Sequence, residues 1–349
     1  MRVVIFGATG NVGTSLLASL RDEPAVQEIV AVARRAPDVG FPRTTFVPAD
    51  VVDSDLAEIV RGAQAVVALS WLIQPGRDER VTHAVNVVGS ERIFRAAVQA
   101  GVPALIYASS IGAYSPGPKD RMVDETWPTD GIASSFYSRH KVAVERQLDR
   151  LESERPGLRV IRMRPALIFK PEAATEIRRL FAGPLLPGAL VRPGLIPLVP
   201  DVPRLRFQAV HSLDVGEALR RALLSEAHGA FNLAADPPIG AAELAQVLKA
   251  RPVHVPAAAL RAAAAATYHL RLQPSEPGWV DMALGVPLID SSRARSELDW
   301  SPRHTSIDAL SQLLAGIRAG TDGATPPLRR RTSGPLRIRE LLTGVGARG

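Results

Sequence analysis

The first half of the chain alternates short apolar runs with longer stretches whose apolar positions recur every three to four residues. Residues 3–6, 29–33, 45–47, 65–69, 104–108 and 160–163 are short, rich in β-branched side chains and bounded by turn residues, which predicts buried strands. Between them, residues 12–20, 55–60, 81–100 and 136–151 carry a helical period. Such alternation predicts an α/β fold: a doubly wound parallel sheet, helices on both faces, right-handed crossovers.

After Pro165 the texture changes. Residues 183–204 are dense in Pro and Gly, which predicts loops and short strands rather than sheet core. Residues 207–211 predict a returning strand, 214–224 a helix and 231–234 a further strand. Helical patterns follow at 241–249, 257–272 and 306–317. The alanine run 262–266 predicts a close-packed helix, because Ala is the best helix former. These shifts divide the chain into a sheet domain over 1–168 to which 205–235 return, a smaller lobe made of 169–204 and 236–320, and a basic tail over 321–349. The tail is expected to be solvated.

Composition narrows the choice. Hydrophobic residues at 46% and charged residues at 22% are ordinary for a globular chain with its own core. The chain has no cysteine, which excludes disulfides, thiolate nucleophiles and Cys-based zinc sites; no metal is expected. That fits a reducing, cytoplasmic setting. The net charge of +7 sits on scattered arginines, and aromatics are only 5%. Nucleic-acid binding would want a basic stripe interleaved with aromatics, so no nucleic-acid partner is expected. No apolar run reaches the roughly 18 residues of a membrane span, and the N-terminus leads straight into a glycine loop. Neither a membrane partner nor a signal segment is expected.

Two local patterns carry chemistry. Gly7, Gly10 and Gly13 form a G-x-x-G-x-x-G loop that follows the first strand and opens the first helix. Such glycines allow a tight turn and close approach of backbone to a pyrophosphate, while the helix N-terminus offers free N–H groups and a positive dipole end. At the end of the second strand, a carboxylate would bind a ribose 2′-hydroxyl and an arginine would accommodate a 2′-phosphate. Arg34 and Arg35 stand there, with no carboxylate before Asp38. Guanidinium suits phosphate bidentately, which predicts NADP(H) in preference to NAD(H), the latter remaining the alternative. Further on, Tyr137 and Lys141 stand four residues apart in a helical stretch, hence on one face. A phenol ionises near pH 10 unperturbed. A fixed positive charge beside it is expected to lower that value and make the hydroxyl a usable acid or base.

Together these pieces resemble the extended short-chain dehydrogenase/reductase family, of the NAD-dependent epimerase/dehydratase type. The resemblance runs from Met1 to about Ile317. It is carried by the glycine loop, Asp50 and Val51 after the third strand, Asn86 and Gly89 in a long helix, Tyr107 to Ser110 with Tyr114, the Tyr137/Lys141 pair, Arg164 and Pro165, and segments 210–214 and 289–302. It implies a dinucleotide-binding sheet domain and a substrate-binding lobe. Gly7, Thr9, Gly10, Asn11, Val12 and Gly13 would hold the cofactor, the glycines at its pyrophosphate. Asp50 and Val51 would contact the adenine. Leu69 and Ser70 would line the cofactor channel, with Ser70 where the family usually has alanine and Trp71 bulkier than usual beside it. Ser110 would hydrogen-bond the reacting oxygen and Tyr137 exchange the proton. Lys141 would bind nicotinamide-ribose hydroxyls and depress the Tyr137 pKa. Asn86 would steady its helix and hold a water near Lys141. Pro165 to Ile168 would sit against the nicotinamide. Helices 81–100 and 136–151 would build a homodimer. His211 and Asp214 read as structural, with Asp214 expected to cap the helix that follows.

The family hosts reductases, dehydrogenases, epimerases and dehydratases, so fold alone does not choose a reaction. Sugar-nucleotide epimerases of the family usually carry Asn in the stretch after the strand; Ala166, Leu167, Ile168 and Phe169 stand here. Its sugar-nucleotide dehydratases place an acidic pair after the catalytic hydroxyl; Ile111 and Gly112 stand here. Both departures favour hydride transfer between a nicotinamide cofactor and an alcohol or carbonyl. Segment 180–205 is apolar, with Arg178, Arg179 and Arg192 near, which suits a small, fairly apolar substrate. A sugar-nucleotide epimerase and a non-enzymatic cofactor sensor of the same fold stay open as alternatives.

Overall fold

The computed structural model describes residues 1–73, 78–182, 195–273 and 275–329. In chain order, the first half comprises β1 (Arg2–Phe6), α1 (Asn11–Ser19), β2 (Glu28–Ala33), β3 (Thr44–Pro48), α2 (Leu56–Val60), β4 (Ala65–Ala68), α3 (Glu79–His83), α4 (Gly89–Gln99), β5 (Ala104–Ala108), β6 (Met122–Val123), α5 (Phe136–Glu154), β7 (Arg159–Pro165) and β8 (Leu167–Phe169). The second comprises α6 (Ala174–Ala182), β9 (Leu198–Asp201), β10 (Ala209–His211), α7 (Ser212–Leu224), β11 (Gly229–Leu233), α8 (Ala241–Leu248), β12 (Arg251–His254), α9 (Ala257–His269), α10 (Gly278–Gly285), β13 (Leu288–Ile289), α11 (Ser292–Leu298) and α12 (Ser306–Ala319).

Seven strands form one sheet in the order β11-β7-β5-β4-β1-β2-β3, and every pairing in it is parallel. This is the α/β, doubly wound sheet that the alternation predicts. Successive side chains of β1 point to opposite faces, so both faces need cover. Val3 and Ile5 pack with Leu16, Leu17 and Leu20 of α1, Leu219 of α7 and Trp300. Val4 and Phe6 pack with Ile93 and Phe94 of α4 and Val144 and Leu148 of α5. The strand order reverses between β1 and β4. There the carboxyl ends of the strands diverge and open a crevice, which is where ligands bind in such sheets.

Four local features differ from the sequence reading. The helix expected over 81–100 contains a π-helical stretch, Ala84–Val88, between α3 and α4. One wide turn re-aims Asn86 at the backbone after β4; π-bulges of this kind recur at functional sites. The cap of α7 is His211, whose Nδ1 accepts from the Leu213 N–H at 3.2 Å. Asp214 lies inside the first turn and instead accepts from the backbone N–H of His304 at 3.1 Å. The alanine-rich α9 buries none of its residues, so its helicity rests on the propensity of Ala and not on close packing. Residues 321–329 are docked through some of their side chains and are not a fully solvated tail. Thr325 and Leu328 are buried, and Thr325 Oγ1 donates to the Thr9 carbonyl at 2.7 Å. Residues 183–194, most of the proposed pocket segment, and residues 330–349 of the basic tail lie outside the described residues. No helix among the described residues is long and apolar enough to cross a membrane.

The helix carrying the glycine loop is fixed by close contact. A Cβ at Gly216 of α7 would stand 2.6 Å from the Ser15 carbonyl group of α1. Ser15 and Ser212 hydroxyls also meet at 2.8 Å. Gly216→Val should therefore push α7 off α1 and destabilise the chain by about 1–3 kcal/mol, the usual range for overpacking. Urea unfolding of the two proteins measures this, and equal midpoints would contradict the packing described.

Candidate active site

The crevice begins at the glycine loop. Gly7 has φ +80°, in the left-handed region, and a Cβ there would lie 2.7 Å from the Leu69 carbonyl carbon and from the Ser70 nitrogen. β1 and the segment after β4 are thus in backbone contact, which only glycine permits. A Cβ on Gly13 would meet the Gly7 carbonyl oxygen at 2.4 Å. Gly10 caps α1 with no side chain, so no side-chain group caps the helix N-terminus. Asn11 Nδ2 donates to the Ile168 carbonyl at 3.4 Å, tying α1 to β8, while its buried Oδ1 has no partner among the described residues. A cradle closed to side chains, with uncapped helix N–H groups, fits the pyrophosphate of a dinucleotide.

The reactive groups gather one step further along the same segment. Trp71, next after Ser70, packs edge-on against Tyr137 with ring centroids 5.7 Å apart. Tyr137 lies in the first turn of α5, which Ser135 caps. Its ring lies against Gly112, where a Cβ would be 2.8 Å from Cε1. Ser110 acts on the Tyr137 hydroxyl so as to favour its ionised form. Ser110 Oγ also accepts from the Gly112 N–H at 3.0 Å. The two adjacent serines divide their tasks: Ser109 Oγ donates to Glu145 at 2.5 Å and faces the core. Lys141 is buried one turn below Tyr137, and its Nζ donates to Tyr107 Oη at 3.2 Å and to the Ala108 carbonyl at 2.7 Å.

Burial dominates the electrostatics. It raises the Tyr137 pKa from the ordinary 10 to about 12, with Ser110 pulling the other way. The depression expected from Lys141 is not seen, because burial also drives the Lys141 ammonium well below its ordinary range, with Glu145 opposing. The Lys141 nitrogen is 5.9 Å from the centre of the Tyr137 ring. Asn86, fully buried, spends its amide on one residue: Oδ1 accepts from the Leu72 N–H at 2.7 Å and Nδ2 donates to the Leu72 carbonyl at 3.1 Å. It holds the segment that carries Trp71, and its main-chain carbonyl accepts from Ser90 Oγ at 2.6 Å.

The remaining predicted residues lie at or beyond the ends of β2, β3 and β7 and in β8. Pro165 ends β7 and Ile168 lies in β8 beside Asn11. Asp50 turns the chain after β3, its Oδ1 accepting from the Val52 N–H at 2.9 Å. Val51 is buried against Gly89. Arg34 and Arg35 are exposed beyond β2 and have no partner among the described residues. The next carboxylate along the chain, Asp38, is paired with Arg329 at 2.6 Å.

Sequence reasoning missed two contributors, Trp279 and Glu145, and named a third, Trp71, without a role. Trp279 of α10 lies against Tyr137 with centroids 5.1 Å apart, and nothing in its neighbourhood announces that contact. Trp71 covers Lys141, with Nζ 3.5 Å from the ring centre. Glu145 is fully buried, and its spacing of four from Lys141 was the available signal. Arg164 and Arg162 hold its carboxylate near pKa 2 against the opposing effect of burial, with a hydrogen bond from Ser109. Arg164 Nε donates to it at 3.0 Å and Arg162 at 2.9 Å.

Comparison with known proteins places this geometry. The family model for the NAD dependent epimerase/dehydratase family matches residues 3–234. An uncharacterised protein of Mycobacterium tuberculosis (strain ATCC 25618 / H37Rv) is 26% identical over 331 residues, covering 90% of this chain and 83% of that one. The decarboxylating sterol-4-alpha-carboxylate 3-dehydrogenase of Candida albicans is 28% identical over 179 residues, 48% of this chain and 51% of that one. The structure of UDP-glucuronic acid 4-epimerase from Bacillus cereus in complex with NAD superposes with a TM-score of 0.67 at 15% identity, covering 92% of this chain and 100% of that one. At that identity the likeness concerns the fold.

The buried carboxylate sets a pH test. The Glu145 pKa is lower folded than unfolded, so its contribution is complete above the ordinary carboxylate value of 4.5 and is lost as pH falls through about 2. Glu145→Gln takes the anion from Arg164, while Arg162 keeps Asp149 and Glu152, and should cost about 3–5 kcal/mol near neutral pH. The gap from wild type should close toward pH 2. Chemical denaturation across that range checks both, and a gap that does not change with pH would refute the assignment.

Proposed function

The chain belongs to the NAD-dependent epimerase/dehydratase family, and on that premise we propose that it is an NADP(H)-preferring oxidoreductase. It would move a hydride between the cofactor and an alcohol or carbonyl of a small, fairly apolar substrate. The observation that carries this reading is the grouping of Ser110, Tyr137 and buried Lys141 against Trp71, next to the Leu69–Ser70 backbone that closes the glycine cradle. A bound nicotinamide dinucleotide supplies hydride exchange. Everything else falls to side chains. Gly7, Gly10 and Gly13 let the backbone approach the pyrophosphate, and Arg34 and Arg35 offer guanidiniums to a 2′-phosphate. Ser110 and Tyr137 donate hydrogen bonds to the oxygen on which negative charge develops, and Tyr137 passes or takes the proton. Lys141 places positive charge and ribose-binding donors one turn away.

The walls around Tyr137 support an apolar substrate. Ile111, Phe136, Ala166, Trp279 and Met282 form one buried cluster with Tyr137 and Ile73 packed against it. Ala166 and Ile111, at the positions noted above, add neither an amide nor an acid. The sterol dehydrogenase likeness over half the chain agrees with this direction. The fold shared with UDP-sugar epimerases keeps a second reading open, in which a nucleotide sugar occupies the same crevice. A homodimer through the outer faces of α4 and α5, in a cytoplasmic setting, completes the proposal; Val88 is exposed at the start of α4.

Tyr137→Phe should bind NADPH as wild type does and lose at least about a hundredfold in turnover with apolar ketones or alcohols. Near-normal turnover would remove Tyr137 from the proton path. Calorimetric titration should give tighter binding for NADPH than for NADH, and the reverse order would overturn the cofactor preference. A rise in melting temperature with UDP-sugars, without NADPH consumption on apolar carbonyls, would favour the epimerase.

A further inference from the structure

Lys141 is a buried cation without an ion-pair partner among the described residues. From β5 it meets the Tyr107 hydroxyl and the Ala108 carbonyl, both neutral. On its own helix, Tyr137 is neutral at pH 7, and Glu145, whose charge favours the ammonium from a distance, directs its oxygens at Ser109, Arg162 and Arg164. The remaining close neighbour is Trp71, from the segment after β4. Its ring centre lies 3.5 Å from Nζ, compared with 4.8 Å for Tyr107 and 5.9 Å for Tyr137. An ammonium at that distance sees the negative face of the indole quadrupole, and desolvation strengthens the attraction. Asn86 clamps Leu72 from both sides of its peptide, so the ring is held in place by the neighbouring backbone.

We propose that the face of Trp71 serves as the counter-charge that keeps Lys141 an ammonium in the buried site. Trp71 is then a positioning residue, acting on proton exchange at Tyr137 through Lys141. The inference deepens the oxidoreductase reading and rests on it for its consequence in turnover, but the contact itself is open to measurement without turnover. Burial lowers the Lys141 pKa, and removing the ring should lower it further. The expected extra shift is roughly one pH unit, the size of a desolvated cation–π contact.

Four lysines in the chain make the measurement direct. Protein labelled with ¹³C at lysine Cε is titrated by NMR, with Lys141 assigned by its absence in Lys141→Met. Trp71→Leu should lower the Lys141 titration midpoint by roughly one unit and Trp71→Phe by less, since benzene keeps a weaker negative face. Because Trp71→Leu also removes packing, a second series keeps the shape. Tryptophan fluorinated on its benzo ring, incorporated at all four tryptophan positions, should lower the midpoint stepwise with each fluorine. Unchanged midpoints in both series would overturn the proposal while leaving the Tyr137 reading intact. Shifted midpoints in a chain that turns over no alcohol or carbonyl with any nicotinamide cofactor would uphold the contact and overturn the oxidoreductase reading.

Discussion

The buried carboxylate of Glu145 is the constraint on which the site depends. A single carboxylate moved out of water costs several kcal/mol unless it is paired and hydrogen-bonded. Here Arg162 and Arg164 of β7 and Ser109 after β5 all converge on it. Arg162 reaches onward to Asp149 and Glu152 of the same helix. Arg164 reaches Tyr114 Oη at 3.1 Å, and Tyr114 donates to Asn232 of β11 at 2.7 Å. The network therefore locks α5 against the carboxyl ends of three strands. Ser110 follows Ser109 and Pro165 follows Arg164, so their positions relative to Tyr137 come from the same lock.

That lock shapes the charge balance at the reactive residues. Glu145 is committed to guanidiniums, which leaves Lys141 with neutral acceptors and an aromatic face. Desolvation then acts on both members of the pair in the same sense, toward neutrality: the phenol is pushed up and the ammonium down. For Lys141 the folded state binds its proton less readily than the unfolded chain, so its contribution to stability improves as pH rises toward the ordinary lysine value of 10.5. The site is thus poised to respond to charge introduced by a ligand. A Tyr–Lys spacing read from sequence shows the shared face, but not this balance.

The fold was legible because its signals are local. Each sheet strand is a short β-branched run, and each flanking helix repeats its apolar positions within one segment. The glycine loop was legible for the same reason: the turn, the helix start and the contact with β4 all constrain the same few residues. What escaped depends on partners distant in sequence or on backbone detail. The π-turn that aims Asn86 at Leu72 has no signature in the pattern of Val85, Val87 and Val88. The capping of α7 by His211 was assigned to Asp214, because a carboxylate is the commoner cap and the demand of His304, ninety residues on, was invisible. Docking of residues 321–329 depends on one threonine meeting a carbonyl 316 positions away.

The C-terminal third fastens the crevice at both ends, which explains why the substrate is the least legible property. At one end Thr325 holds the Thr9 carbonyl from behind the glycine loop. At the other, Gly278 approaches so closely that a Cβ would stand 2.3 Å from the Ser134 carbonyl oxygen, and this seats Trp279 against Tyr137. The first contact bears on the glycine loop and the second on the apolar wall beside Tyr137; neither touches Ser110, and Lys141 is gripped by β5 and Trp71. Changes in this third can therefore reshape the wall around the Tyr137 hydroxyl while Glu145 keeps α5, β5 and β7 in register. Such a division lets one sheet serve many substrates. It also means that the wall, built of Trp279 and Met282 on α10, has to be read from contacts in space and not from motifs.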